Sequence, residues 1–192
     1  MGLCACVYRD VFPSSRCLFM YRNVVKVIKS LYRISMLHPS LRLARILGSI
    51  SGHVTKVIVD SAGFDGSDFR VRVNKDLMLS TILYALTTAS YLDLRRRGFD
   101  VSAVRYEDLV ARPLDMCRVV LEYCHLPLSL AELAVKALDV DSQRNSIIAK
   151  SAVGHIKEPP LTPQLKMTLN EILQKHGIPL IDEPDNIEGT LS

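Results

Sequence analysis

Residues Cys17 to Ser30 read CLFMYRNVVKVIKS, and the fold class of the chain turns on them. Cys17 to Tyr21 is an apolar run bounded by Pro13-Ser14-Ser15-Arg16 and Arg22-Asn23. That pattern predicts a short strand buried on both faces, as in parallel sheets. Val24, Val25, Val27, Ile28, Leu31 and Tyr32 then recur at helical spacing, with Lys26, Lys29 and Arg33 on the polar side. Arg22 therefore falls where a strand ends and a helix begins, the edge of an open α/β sheet at which ligands bind. A guanidinium there, beside a helix N-terminus, suits a phosphate or another anion. From this stretch alone, a surface arginine closing a core strand is the simpler reading.

The whole chain has 192 residues, 48% of them hydrophobic, enough for one domain with a real core. A net charge of +4 is compatible with an anionic small ligand and too weak to argue for nucleic acid. With no Trp and 6% aromatic residues, a base-stacking single-strand binder is not indicated. The five cysteines, Cys4, Cys6, Cys17, Cys117 and Cys124, are odd in number and form no CxxC pair. Free thiols in a reducing compartment follow, with Cys17, Cys117 and Cys124 expected in the core, and no metal site is expected. The first residues lack the apolar core and cleavage site of a signal peptide. MGLCAC resembles a lipidation start, but Cys6 stands where Ser or Thr is required.

Further along, His38-Pro39-Ser40 breaks the chain, and residues 41–61 repeat apolar positions at helical spacing, with Gly48 and Gly52 in a GxxxG. Ala62 to Asp68 is the clearest loop, without the ligand spacing of a calcium loop. Leu77 to Leu92 carries no charge over 16 residues, five of them Ser or Thr, which predicts a buried core helix and no transmembrane segment. Arg95-Arg96-Arg97-Gly98 reads as its solvated end, complementing the helix dipole and a glycine cap. Phe99 to Tyr106 predicts a second strand, Leu114 to Tyr123 and Leu130 to Leu138 two helices, and Pro163 onward a helix capped by Thr162 and closed at His176-Gly177. From Glu183 the tail is expected to be disordered.

Catalytic motifs are sparse. GxSxG, HExxH and GxxxxGK[ST] are all absent, and no Cys/His pair has a context that would activate it.

Three stretches taken together resemble the C-terminal part of the sulfotransferases that use 3′-phosphoadenosine 5′-phosphosulfate. FPSSRCLFMYRNVVKVIKS is similar to the strand–helix element for the donor's 3′-phosphate, in which an Arg ends the strand and a Ser follows eight residues later, as Arg22 and Ser30 do. Arg would supply charge and fork geometry, Ser a hydroxyl donor. VSAVRYEDLVARP with MCRVVLEYCHLPLS resembles the family's strand ending in Tyr-Glu-Asp, then a loop, Pro and a helix; the match puts Tyr106 near the adenine. Lys150-Ser-Ala-Val-Gly154-His-Ile-Lys157 looks like a degenerate form of the terminal basic–glycine loop, so Lys150 and Gly154 would assist at the 3′-phosphate. The resemblance covers most of residues 11–180, with 36–98 matching only as helical filler.

It implies an α/β fold: a partial sulfotransferase-like parallel sheet, related to the P-loop NTPases, with many helices and a helix-rich C-terminal part. The expected organisation is a single domain over 1–182, lacking the N-terminal phosphosulfate-binding part, with a disordered tail over 183–192. Departures from the family pattern are Val24 for a Pro, Ala149 for an Arg, Ser151 for a Gly and Ile156 for a Trp. The strand and glycine loop for the 5′-phosphosulfate and the histidine base should lie upstream of Arg22, where 21 residues stand, and none of the five histidines matches the base. The implied function is binding of the 3′-phosphoadenosine part of the donor, with sulfate passed to a hydroxyl or amine of a small-molecule or carbohydrate acceptor if the fold is complete. The donor's product would be 3′,5′-adenosine bisphosphate. No catalytic residue is assigned, and the chain as it stands is expected to be inactive. The alternative is an inactive remnant serving as a nucleotide-binding or protein-interaction module. A cytoplasmic location is expected, with the Golgi lumen if an anchor precedes the chain.

Overall fold

The computed structural model describes residues 15–37, 75–138 and 156–192. It is mixed α/β, mostly helical, with a two-stranded parallel sheet among the described residues. The elements are β1 (Cys17–Tyr21), α1 (Val24–Leu37), α2 (Lys75–Arg96), β2 (Val101–Arg105), α3 (Tyr106–Ala111), α4 (Pro113–Tyr123), a 3-10 turn (Leu128–Leu130), α5 (Ala131–Leu138) and α6 (Pro163–Lys175). Two compact units divide them. The first holds described residues 15–23, 87–138 and 183–192, the second 24–37, 75–86 and 156–182.

In the first unit β1 and β2 run parallel, with Cys17 opposite Val101 and Tyr21 opposite Arg105. Alternation sends their side chains to two faces. Tyr21, Val101 and Ala103 pack on one with Tyr91 and Leu92 of α2 and with Ile187, and Phe19 stacks on Tyr91 at a ring separation of 4.7 Å. Val104 turns the other way, into a cluster with Leu109 of α3, Met116, Cys117 and Leu121 of α4, and Ala131 of α5.

The expectation that β1 is buried on both faces is corrected here. Leu18 is 38% and Met20 57% exposed, and Cys17 is exposed rather than in the core. Among the described residues β1 pairs with β2 alone, and the layer over its even-numbered side chains is incomplete. Leu18 and Met20 instead border an apolar groove of about 330 Å³ against Val104, Cys117, Leu121 and Leu138. Cys117 is buried, as its apolar context predicts, and burial pushes its thiol pKa up; Cys124 is half-buried.

The outer edge of β2 is covered by the C-terminal residues, which differ from the expected disorder. The Ala103 amide donates to the Gly189 carbonyl at 2.9 Å, and the Leu191 amide to the Ala103 carbonyl at 2.8 Å. Asp185 and Ile187 are buried. Tail composition is polar, but one strand edge accepts these few backbone bonds and one apolar side chain.

The second unit has a core built from α1 and α6 with the first part of α2: Val24, Ile28 and Tyr32 at intervals of four, Leu165, Leu169, Ile172 and Leu173, and Leu77, Met78, Ile82 and Ala85. Those spacings put one stripe of each helix inward. Thr162 caps α6 by accepting the Leu165 amide at 3.3 Å, and Gly177 closes it at φ +64°. Glu158 binds α1 through Lys29 at 3.1 Å and through Arg33.

Helix α2 exceeds the 16-residue apolar run by reaching Arg96. By length and composition alone, Asp76–Arg96 is long and apolar enough to cross a membrane. Its Thr81 and Thr88 are fully buried, and Thr81 returns its hydroxyl to the Leu77 carbonyl at 2.8 Å. The helix ends in a glycine cap: the Gly98 amide (φ +77°) donates to the Arg95 carbonyl and the Phe99 amide to that of Leu94. Arg95 is more than the solvated end expected of it, since its Nη1 donates to the Val101 carbonyl at 2.7 Å and ties the helix to β2.

Candidate functional site

The carboxyl ends of the two strands carry the polar cluster of the first unit. Residues 21 and 105 are opposite in the ladder, so the residues that follow, Arg22 and Asn23 on one side and Tyr106 and Glu107 on the other, emerge together. β2 stops one residue short of the expected Tyr106. Tyr106-Glu107-Asp108 instead opens α3, with acidic side chains in its first turn complementing the amides there.

Two of the residues singled out in the sequence meet. The Arg22 guanidinium lies over the Tyr106 ring, 4.7 Å from its centroid, in cation–π contact. Arg22 is 44% exposed and Tyr106 37%, so the pair faces solvent. Ser30 is exposed on α1 of the second unit. Lys150 and Gly154 lie outside the described residues, as do the 41–61 helix, the 62–68 loop and the MGLCAC start.

Five further residues complete the cluster. Glu107 reaches Arg22 Nε at 3.6 Å and accepts the Asn23 amide at 3.2 Å on Oε2. Asp185 accepts from Arg105 Nη2 at 2.5 Å and from Asn23 Nδ2 at 3.2 Å. Arg105 also approaches Asp108 at 3.6 Å, while its buried Nε has no hydrogen-bond partner. Glu107 was visible in the sequence as the middle of Tyr-Glu-Asp, without a role. Asp185 gave no signal, because its importance comes from the tail's return to β2 across 80 residues of sequence.

Behind the cluster Tyr21 is buried, with its hydroxyl 3.0 Å from Thr190 Oγ1. Thr190 spends its own proton on the Ile187 carbonyl at 2.7 Å, so Tyr21 is the donor of that pair. Burial raises the Tyr21 pKa, an effect that the Thr190 hydrogen bond partly offsets. It stays a neutral donor.

The arrangement offers two guanidinium groups and an amide side chain at the carboxyl ends of parallel strands, where an anion binds best in this kind of sheet. Each guanidinium is already matched by a carboxylate. Among the described residues no His or Cys joins the cluster, and no group of three or more His, Cys, Asp or Glu could hold a metal ion. Comparison with known proteins adds nothing to this geometry: no protein-family model, no curated protein and no solved structure matches the chain.

Proposed function

We propose that this chain is a sulfotransferase-like protein whose strand ends bind the 3′-phosphoadenosine part of the sulfuryl donor. The observation that carries the reading is the Arg22–Tyr106 contact. Two residues 84 positions apart, each assigned by resemblance to the same end of the nucleotide, stand together at the carboxyl edge of a parallel pair. The resemblance concerns their sequence context alone, so their proximity supports it independently.

In this reading Arg22 pairs with the 3′-phosphate and Tyr106 holds the guanidinium in plane while bordering the adenine. Ser30, Lys150 and Gly154 are assigned to the same phosphate by the resemblance alone. In a complete fold, a hydroxyl or amine acceptor forms its bond to sulfur as the bond from sulfur to the 5′-phosphate oxygen breaks, and 3′,5′-adenosine bisphosphate leaves. Positioned cations and amides stabilise that charge, as they do in phosphoryl transfer. The residues assigned by the resemblance serve the end of the donor that does not react.

Glu107 at Arg22 favours a second reading, an inactive remnant that keeps the fold as an interaction module. A calorimetric titration with 3′,5′-adenosine bisphosphate separates the two. Binding that Arg22→Ala abolishes supports the nucleotide site; no heat at millimolar ligand leaves the remnant.

A further inference from the structure

Asp185 is a carboxylate 9% exposed, held by Arg105 at 2.5 Å and by the Asn23 side-chain amide at 3.2 Å. Both donors stand at the carboxyl ends of β1 and β2, beside the Arg22–Tyr106 pair. The grip of the segment that carries it is short. It includes two backbone bonds at Ala103, the Tyr21–Thr190 hydroxyl pair, a Tyr91 hydroxyl bond to the Glu188 carbonyl at 2.8 Å, an Arg95–Glu188 ion pair at 3.8 Å, the buried side chain of Ile187 and the partly buried Leu191. A terminal segment held by two apolar side chains and a few polar contacts opens more readily than the strands and helices of a core.

The fit of Asp185 to Arg105 is also incomplete. Its Oδ1 takes Nη2, while the buried Nε of the same guanidinium has no partner. A guanidinium binds tetrahedral oxyanions best through two parallel N–H groups, and the Nε–Nη2 edge is one such fork. A phosphate or sulfate group at this edge would satisfy the donor that the carboxylate leaves bare.

We propose that residues 183–192 form an intramolecular strap, in which the Asp185 carboxylate occupies the place of a ligand oxyanion at Arg105 and Asn23. The inference rests on the nucleotide-site reading above and adds to it a second anion subsite and an internal competitor. Ligand binding and docking of the strap then exclude each other. A bound phosphate or sulfate oxygen takes the Arg105 fork, Asp185 leaves, and the Ala103 pairing loosens with it.

The test is calorimetric titration of the 192-residue chain and its Asp185→Asn variant with 3′,5′-adenosine bisphosphate. Asn keeps the shape and the acceptor for Asn23 but removes the competing charge. The expected result is at least a tenfold lower Kd in the variant. Equal Kd values in both proteins, with binding still abolished by Arg22→Ala, overturn the strap and leave the nucleotide site standing. No binding in either protein overturns both. Should Asp185→Asn fail to fold, amide exchange in the wild type decides. Saturating ligand is expected to speed exchange at Leu191 at least tenfold, and unchanged protection there contradicts displacement.

Discussion

The Arg22 guanidinium sits 4.7 Å from the centre of the Tyr106 ring, although the two residues belong to different strand–helix connections. The parallel register of Tyr21 with Arg105 makes this possible, because it brings the next residue of each chain segment to one edge. A cation–π contact at this exposure contributes about 0.5–1 kcal/mol, so the pair orients a charge more than it stabilises the fold. Tyr106→Ala should therefore leave stability almost unchanged while weakening nucleotide binding several-fold. Thermal unfolding and titration of the same sample check both halves.

The exposure of β1 gives a second prediction. A strand buried on both faces would not accept a charge, whereas Met20 is 57% exposed on an incompletely covered face. Met20→Lys is expected to change unfolding free energy by less than about 0.5 kcal/mol, as surface substitutions do. Ala103→Lys, at a fully buried position between β1 and the tail, should prevent folding. Urea denaturation followed by circular dichroism distinguishes these outcomes.

For the C-terminal segment, a disordered tail predicts no cost on truncation of a side chain. Ile187 is 6% exposed in the cluster of Tyr21, Tyr91 and Val101. Ile187→Ala should cost about 2–4 kcal/mol by loss of buried methyl groups and the cavity left behind. Global unfolding reports this if the segment is part of the cooperative unit, and amide exchange at Leu191 reports it if the segment opens alone.

Glu158 supplies a pH dependence. Burial pushes its carboxyl up, but Lys29 and Arg33 outweigh that and hold its pKa below the ordinary glutamate range. A pKa lowered by folding gives stability that is fully present above the unfolded value and is lost as pH falls through the folded one. The second unit should thus lose stability as pH falls below the normal glutamate range, and Glu158→Gln should remove that part of the pH dependence. With both cations 36% exposed, the substitution should cost only about 1 kcal/mol at neutral pH. Urea midpoints at a series of pH values for both proteins test the prediction.

The helices were legible in the sequence because their stripes are long: α1, α4 and α6 match their expected bounds closely, from apolar spacing, Pro113 and the Thr162 cap. Both strands were legible as apolar runs, but not their burial. An apolar run such as Cys17–Tyr21 carries no information on what packs over each face of the sheet, and that layer decides whether Leu18 and Met20 are covered. The apolar positions Val101, Ala103 and Val104 predict a strand through Tyr106, but the strand stops at Arg105 and Tyr106 opens a helix with the acidic pair after it. In the cluster at the strand ends, local pattern singles out Arg22, and only the resemblance singles out Tyr106. Neither singles out Asn23, Arg105 or Asp185, since their roles arise from the return of the tail to β2, a contact without a local signature.

The central claim is that Arg22 anchors the phosphate of an adenosine nucleotide. Titration of the chain with 3′,5′-adenosine bisphosphate, repeated with Arg22→Ala and Arg22→Lys, tests it most directly. The account predicts saturable one-to-one binding, abolished by Ala and weakened at least tenfold by Lys, which keeps the charge but loses the fork and the stacking on Tyr106. Binding that survives Arg22→Ala unchanged, or no binding by the wild-type chain at millimolar ligand, would contradict it.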